Sequence, residues 1–139
     1  MMGKILLIDD EVSVLEALKR QLHKQFHLDT ALSGQEAIGI LRTLGPYAVV
    51  VSDCRMPNMD GIQLLSLVRK LAPNTIRIML TGNNDLNTAM EAVNQGEIFR
   101  FLIKPCPPET FKIALEDGMR QYQLNCSKKS APLGISHVG

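Results

Sequence analysis

Five polar residues sit just past four short apolar runs, and together they could carry out phosphoryl chemistry. Asp9 and Asp10 follow Lys4–Ile8, Asp53 follows residues 48–52, Thr81 follows 76–80, and Lys104 follows 99–103. Carboxylates gathered in one crevice repel each other and call for a cation. A hard divalent ion suits them: magnesium takes oxygen ligands, keeps several waters and needs only one or two direct carboxylates. Lys104 adds a point charge able to hold a transferred phosphoryl oxygen, and Thr81 offers a hydroxyl to another. Asp53 would then be a carboxylate nucleophile that forms an aspartyl phosphate. In such a site catalysis rests on positioning and electrostatics.

Each of these residues needs a strand end to hold it, and the hydropathy pattern supplies one. Lys4–Ile8 is a continuous apolar run, as a strand buried on both faces requires. Helical spacing follows over residues 11 to about 26, with Leu15, Leu18, Leu22 and Phe26 on one face. His27–Ala31 reads as a second, weaker strand. Ser33 and Glu36 predict a capping box for a helix reaching Leu44, stopped by Gly45 and Pro46. Residues 48–52 are a Val-rich third strand, and residues 56–61 are turn chemistry. Leu64, Leu65, Val68 and Leu71 mark a third helix ending near Pro73. Residues 76–80 make the fourth strand; Asp85 is a candidate cap for a fourth helix carrying Leu86, Met90 and Val93 and stopping at Gly96. Residues 99–103 make the fifth strand. Pro107 and Pro108 suit a helix start, and Phe111, Leu115, Met119 and Tyr122 give that helix one apolar face.

A repeated strand-then-helix alternation predicts parallel strands joined by right-handed crossovers, an α/β fold with a doubly wound five-stranded sheet. The carboxyl ends of such strands share one edge, and ligands bind there at the switch point of the strand order. For the order 2-1-3-4-5 the crevice lies between the first and third strands. That brings Asp9, Asp10 and Asp53 together.

Composition removes other classes. The chain has 139 residues, 45% of them hydrophobic and 21% charged, which argues against bulk disorder and for one compact domain. A net charge of +1 leaves no basic footprint for direct nucleic-acid binding. No apolar stretch approaches the ~20 residues of a membrane helix, and the short apolar run before Asp9 is no signal peptide. Three cysteines, Cys54, Cys106 and Cys126, form no metal or disulfide pattern and read as reduced thiols in a cytoplasmic protein. Cys54 reads as a packed, inert thiol, and His23 and His27 as surface residues.

In their order and spacing, four motifs resemble those of bacterial two-component response regulator receiver domains of the chemotaxis-receiver-like kind. They are Leu7-Ile8-Asp9-Asp10-Glu11, residues 53–61 (DCRMPNMDG), Leu80-Thr81-Gly82 and Phe101-Leu102-Ile103-Lys104-Pro105. The resemblance covers roughly residues 4–123. It implies a flavodoxin-like receiver fold over 1–123; the rest, 124–139, lacks periodicity and reads as a flexible C-terminal tail without an output domain. By the resemblance, Asp53 accepts a phosphoryl group from a histidine kinase or phosphotransfer protein, with Thr81 and Lys104 on the phosphoryl oxygens. Asp10, Asp53 and the backbone carbonyl of Arg55 would ligate magnesium, and Asp9 would act through a bound water. Thr81 and Phe101 map onto the family's switch, read out on the fourth helix, fifth strand and fifth helix by a downstream protein or in a homodimer. Phe101 stands where tyrosine is frequent, so the ring packs without offering a hydroxyl. Arg55 and Asn83 occupy the positions that flank the route of attacking water, so both are expected to tune the phosphoryl lifetime, Arg55 by slowing hydrolysis. Residues 94–101 also resemble receivers joined to cyclic di-GMP phosphodiesterase modules or NtrC-type transcription regulators.

Each signal alone has an ordinary reading. An Asp-Asp pair opens many solvated helices, Lys104-Pro105 can be a plain strand end, and Lys128-Lys129 a solvated tail. It is the combination that points to a phosphorylation-activated signalling switch in a phosphorelay, a phosphoprotein rather than an enzyme. Two other classes stay open at this stage. One is a small magnesium-dependent aspartyl-phosphate phosphatase, against which stand the lack of a cap insertion and of a second acid placed for turnover. The other is a protein-binding module indifferent to phosphate.

Overall fold

The apolar runs pair side by side because the central ones, apolar on both faces, must be covered on both. The structure, a computed structural model, describes residues 3–130. Five parallel strands, β1 (Lys4–Ile8), β2 (His27–Ala31), β3 (Val49–Asp53), β4 (Ile76–Thr81) and β5 (Arg100–Ile103), form one sheet in the order β2-β1-β3-β4-β5. Side chains alternate across that sheet with period two. Ile5, Leu7, Val49, Val51, Ile76, Ile78 and Leu80 enter one core. Leu6, Ile8, Val50 and Met79 enter the other.

The helices divide between these cores. α1 (Val12–Leu22) and α5 (Pro108–Ser130) cover the first, through Leu15 and Leu22 and through Phe111, Ala114, Leu115 and Met119. α2 (Gly34–Leu44), α3 (Gly61–Leu71) and α4 (Leu86–Asn94) cover the second, through Ala37, through Leu64, Leu65 and Val68, and through Ala89 and Ala92. This is the expected doubly wound α/β fold.

Local chemistry departs from expectation in four places. α1 ends at Leu22, because Gln25 and Phe26 turn back onto the Leu22 carbonyl and send the Phe26 ring into the core. Ser33 does accept from the Glu36 N–H at 3.1 Å, but the Glu36 carboxylate takes the Leu32 N–H instead of returning to Ser33. The reciprocal capping box stands at α3: Asp60 Oδ1 accepts from the Gln63 N–H at 2.8 Å and Gln63 Oε1 accepts from the Asp60 N–H at 3.1 Å. Finally, α5 runs on past Tyr122 to Ser130, so residues 124–130 are helix rather than the expected flexible tail. Asn125 explains part of this. Its Nδ2 donates to the Asn74 carbonyl at 3.1 Å and so ties the extension to the turn before β4. The remainder of the expected tail, 131–139, and the side chains of Lys128 and Lys129 lie outside the described residues. No described helix is long and apolar enough to cross a membrane.

The edge strand β2 has a specific tether. Tyr47 is fully buried and its hydroxyl donates to Asp29 Oδ2 on β2 at 2.5 Å. Tyr47→Phe keeps the ring and deletes that bond, which should destabilise the protein by ~1–2 kcal/mol, since water reaches the partly exposed Asp29 and limits the loss. A urea titration should show a lower midpoint at unchanged slope. An unchanged midpoint would mean that water satisfies Asp29 equally well.

Candidate functional site

The site forms where two neighbours in the sheet bring up acids, β1 running into Asp9 and β3 ending at Asp53. Ile8 pairs with Ser52, so Asp9 and Asp53 emerge one step later on the same edge. The sheet pattern continues for one residue past the strands. The Cys54 N–H donates to the Leu80 carbonyl and the Lys104 N–H to the Thr81 carbonyl, both at 2.8 Å, which sets the heights of the loop after Asp53 and of Lys104. Carboxylate oxygens of Asp9, Asp10 and Asp53 lie within 4.8 Å of one another. Asp9 is 1% exposed and Asp53 8%, whereas Asp10 faces solvent.

Lys104 reaches into this cluster from the end of β5. Its Nζ lies 2.7 Å from Asp53 Oδ1 and 3.4 Å from Asp9 Oδ2. Burial works against the ammonium, but the hydrogen bond to Asp53 and the charges of Asp9 and Asp53 outweigh it, and the Lys104 pKa is raised. Burial pushes the Asp9 carboxyl up. The Glu11 N–H, which donates to Asp9 Oδ1 at 2.9 Å, works against this, as does Lys104, while the Asp53 charge adds to it. Three carboxylates against one ammonium leave the crevice acidic, and every donor in the cluster is a hard oxygen. Such a donor set fits magnesium.

The other expected residues take varied positions. Thr81 is fully buried at the end of β4, and its hydroxyl donates to the Gly82 carbonyl at 3.2 Å. Phe101 is half-buried on β5, in register with Met79, and packs against the core beneath α4. Asn83 is exposed in a single 3-10 turn, Asn83–Asp85, that leads into α4. The Arg55 side chain is 76% exposed and binds Asp85. Cys54 is buried beside Asp53; burial pushes its thiol pKa up, and the charges of Asp85, Asp53 and Asp60 push it further. A thiol so protonated is a poor nucleophile. The structure thus gathers Asp9, Asp10, Asp53 and Lys104 into one cluster, with Thr81 at the end of the strand between β3 and β5.

Two residues of the site had no chemical role in the sequence reading. Gly61, read as turn chemistry, lies against the backbone of Asp53 and Cys54. A Cβ there would stand 2.3 Å from the Asp53 carbonyl oxygen and 3.0 Å from Cys54 Cα. Asp85, read as a helix cap, makes no side-chain cap bond; its carboxylate is bound by Arg55, with Nε to Oδ2 at 2.8 Å and Nη2 to Oδ1 at 2.7 Å. Their separation of 30 residues left no local pattern to find.

Comparison with known proteins agrees with this geometry. Residues 5–116 match the family described as the response regulator receiver domain. The hydrogenase transcriptional regulatory protein HoxA of Cupriavidus necator is 33% identical over 105 residues, which are 76% of this chain and 22% of that protein. The chain therefore spans about a quarter of the length of the curated relatives it matches. A crystal structure described as adenylate cyclase from Rhodopirellula baltica is 45% identical, with a TM-score of 0.90 over 93% of this chain and 96% of that one. A response regulator receiver domain protein from Clostridium thermocellum is 31% identical, with a TM-score of 0.82 over 88% of this chain and 98% of that one. With the strand order, the acidic cluster at its switch point and the family match over most of its length in agreement, the chain belongs to the response regulator receiver domain family.

Proposed function

We propose that this chain is the phosphoacceptor switch of a two-component phosphorelay and that Asp53 is the acceptor. The observation that carries this is the Lys104 ammonium 2.7 Å from Asp53 Oδ1, beside two further carboxylates. A carboxylate oxygen of Asp53 attacks phosphorus on a phosphohistidine of a kinase or phosphotransfer protein. The O–P bond forms as the N–P bond breaks, and the imidazole leaves with the electron pair. Lys104 stays with the transferred group and holds one phosphoryl oxygen. The Thr81 hydroxyl exchanges the Gly82 carbonyl for another. Magnesium would be held by Asp10, Asp53 and the Arg55 backbone carbonyl, with Asp9 acting through a water; when bound it offsets the charge that builds on the phosphoryl oxygens.

The movement of Thr81 opens room beneath α4, and the half-buried Phe101 ring turns into it. This small two-state change alters the surface formed by α4, β5 and α5. A downstream protein or a second copy of the chain reads that surface, on which Met90, Ile103 and Ile113 are exposed. The reaction is stoichiometric, so the domain is a signalling switch rather than an enzyme acting on other substrates.

Incubation with acetyl phosphate and magnesium tests this. Intact mass should rise by one phosphoryl group in the wild type and not at all in Asp53→Asn. No gain in the wild type would overturn the proposal, and repeated turnover of a small phosphate ester would replace it with a phosphatase.

A further inference from the structure

At the sheet edge opposite Asp53, a guanidinium is held in place without an acid. Arg77, the second residue of β4, is half-buried. Its Nε donates to the Glu97 carbonyl at 2.8 Å, Nη1 to the Thr75 carbonyl at 3.1 Å and Nη2 to the Gly96 carbonyl at 3.4 Å. Arg55, Arg69, Arg100 and Arg120 each bind a carboxylate. Arg77 binds carbonyls alone among the described residues. The neighbouring acids are committed elsewhere. The Glu97 carboxylate accepts from the Ser66 hydroxyl at 3.2 Å and from Arg69 at 3.1 Å. Asp117, one turn before Gln121 in α5, is shared by Arg100 and Arg120. Burial and then the charge of Arg69 hold the Arg77 guanidinium below its ordinary pKa, against the pull of Glu97.

Thr75, Arg77 and Gly96 line a hollow of about 260 Å³ together with Phe99, Gln121 and Asn125. Gln121 and Asn125 belong to α5 and bring amides to the opposite wall. Gln121 Nε2 donates to Asn125 Oδ1 at 2.9 Å, and Asn125 Nδ2 to the Asn74 carbonyl at 3.1 Å. Each amide nitrogen carries a second hydrogen, and a guanidinium has more donors than three carbonyls consume. Donors therefore remain on both walls.

We propose that this hollow binds a small phosphate-type oxyanion, with the Arg77 guanidinium as its charge and the Gln121 and Asn125 amides as further donors. A guanidinium matches phosphate oxygens in geometry as well as in charge. Three carbonyls already fix this one, so binding has little left to order. The anion supplies the countercharge that the half-buried cation lacks. It would join the start of β4, the turn between α4 and β5, and the last turns of α5. The site requires neither Asp53 nor magnesium, so it stands apart from the phosphoacceptor reading.

An amide NMR titration of the magnesium-free protein with inorganic phosphate, at constant ionic strength, tests this. Shifts should saturate in the millimolar range and be confined to residues 74–77, 95–99 and 121–125. Arg77→Met should weaken binding by about tenfold or more, the scale of one charge-assisted hydrogen bond. Because Arg77 also clamps three carbonyls, Gln121→Glu is the second variant. It leaves the clamp intact, places a carboxylate on the wall of the hollow and should abolish binding. Glycerol phosphate, titrated in parallel, distinguishes the source. Tighter binding than free phosphate assigns the site to a phosphate monoester, and equal or weaker binding assigns it to the free ion. Shifts that stay linear to the highest concentration, that spread over the whole surface, or that persist undiminished in Gln121→Glu overturn the proposal.

Discussion

Lys104→Met should slow phosphorylation of Asp53 by acetyl phosphate by ~10²–10³-fold, the usual effect of removing one preorganised charge donor from a transition state. Methionine preserves much of the length and apolar stem of lysine and removes the ammonium that lies 2.7 Å from Asp53 and 3.4 Å from Asp9. The variant should also be less stable in magnesium-free buffer. Losing one partner of a fully buried pair costs about 3–5 kcal/mol. Lys104 is 33% exposed and Asp53 touches solvent, so ~1–3 kcal/mol is the fitting scale here. Asp9, 1% exposed and already raised in pKa by burial, would then take up a proton more readily. Because a bound cation takes over the compensation that Lys104 supplied, saturating magnesium should stabilise the variant more than the wild type. Urea titrations with and without magnesium measure both effects. Equal metal-free stability, or unchanged uptake of phosphoryl groups, would show that Lys104 is not the charge that balances this crevice.

The second large effect belongs to a residue without functional groups. Gly61→Ala places a methyl 2.3 Å from the Asp53 carbonyl oxygen and 3.0 Å from Cys54 Cα, both of them backbone atoms that cannot rotate aside. The contact is close because the Gly61 N–H donates to the Cys54 carbonyl at 2.9 Å, which draws the first turn of α3 onto the loop after β3. α3 cannot retreat freely. Leu64, Leu65 and Val68 are buried in the core, and the Asp60–Gln63 capping box fixes its entry. Overpacking against backbone should therefore cost ~2–3 kcal/mol. The clash bears on Asp53, the proposed acceptor, so phosphoryl uptake should fall as well, at temperatures where the variant is still folded. Denaturant titration and intact-mass kinetics on the same sample would separate the two losses. A variant that matches the wild type in both would mean that the approach of α3 relaxes without strain.

Much of the architecture was legible because the sheet is buried on both faces. Such strands must be continuous apolar runs, so Lys4–Ile8 and the valines of β3 announced themselves, as did the helical spacing of α3 and α5. Errors fell where local patterns compete. Asp60 and Ser33 both head plausible caps, and only the surrounding structure decides that the reciprocal box forms at Asp60. α5 overran its expected end because its last turns are polar and are held in part by Asn125 on the Asn74 carbonyl, a bond across 51 residues.

From sequence alone came the alternation of strand and helix, the edge at which chemistry would collect, and the identities of the acids, threonine and lysine placed there. These follow from rules of short range: apolar periodicity, helix stops, and the fact that parallel strands end on a common side. Tertiary structure alone decided which of those residues touch. It set Lys104 between Asp53 and Asp9, gave Arg55 to Asp85 rather than leaving Asp85 to cap α4, and made Gly61 a neighbour of the Asp53 carbonyl. Each of these depends on distances between segments far apart in the chain, set by the packing of whole helices on the sheet, and no local run of residues encodes them.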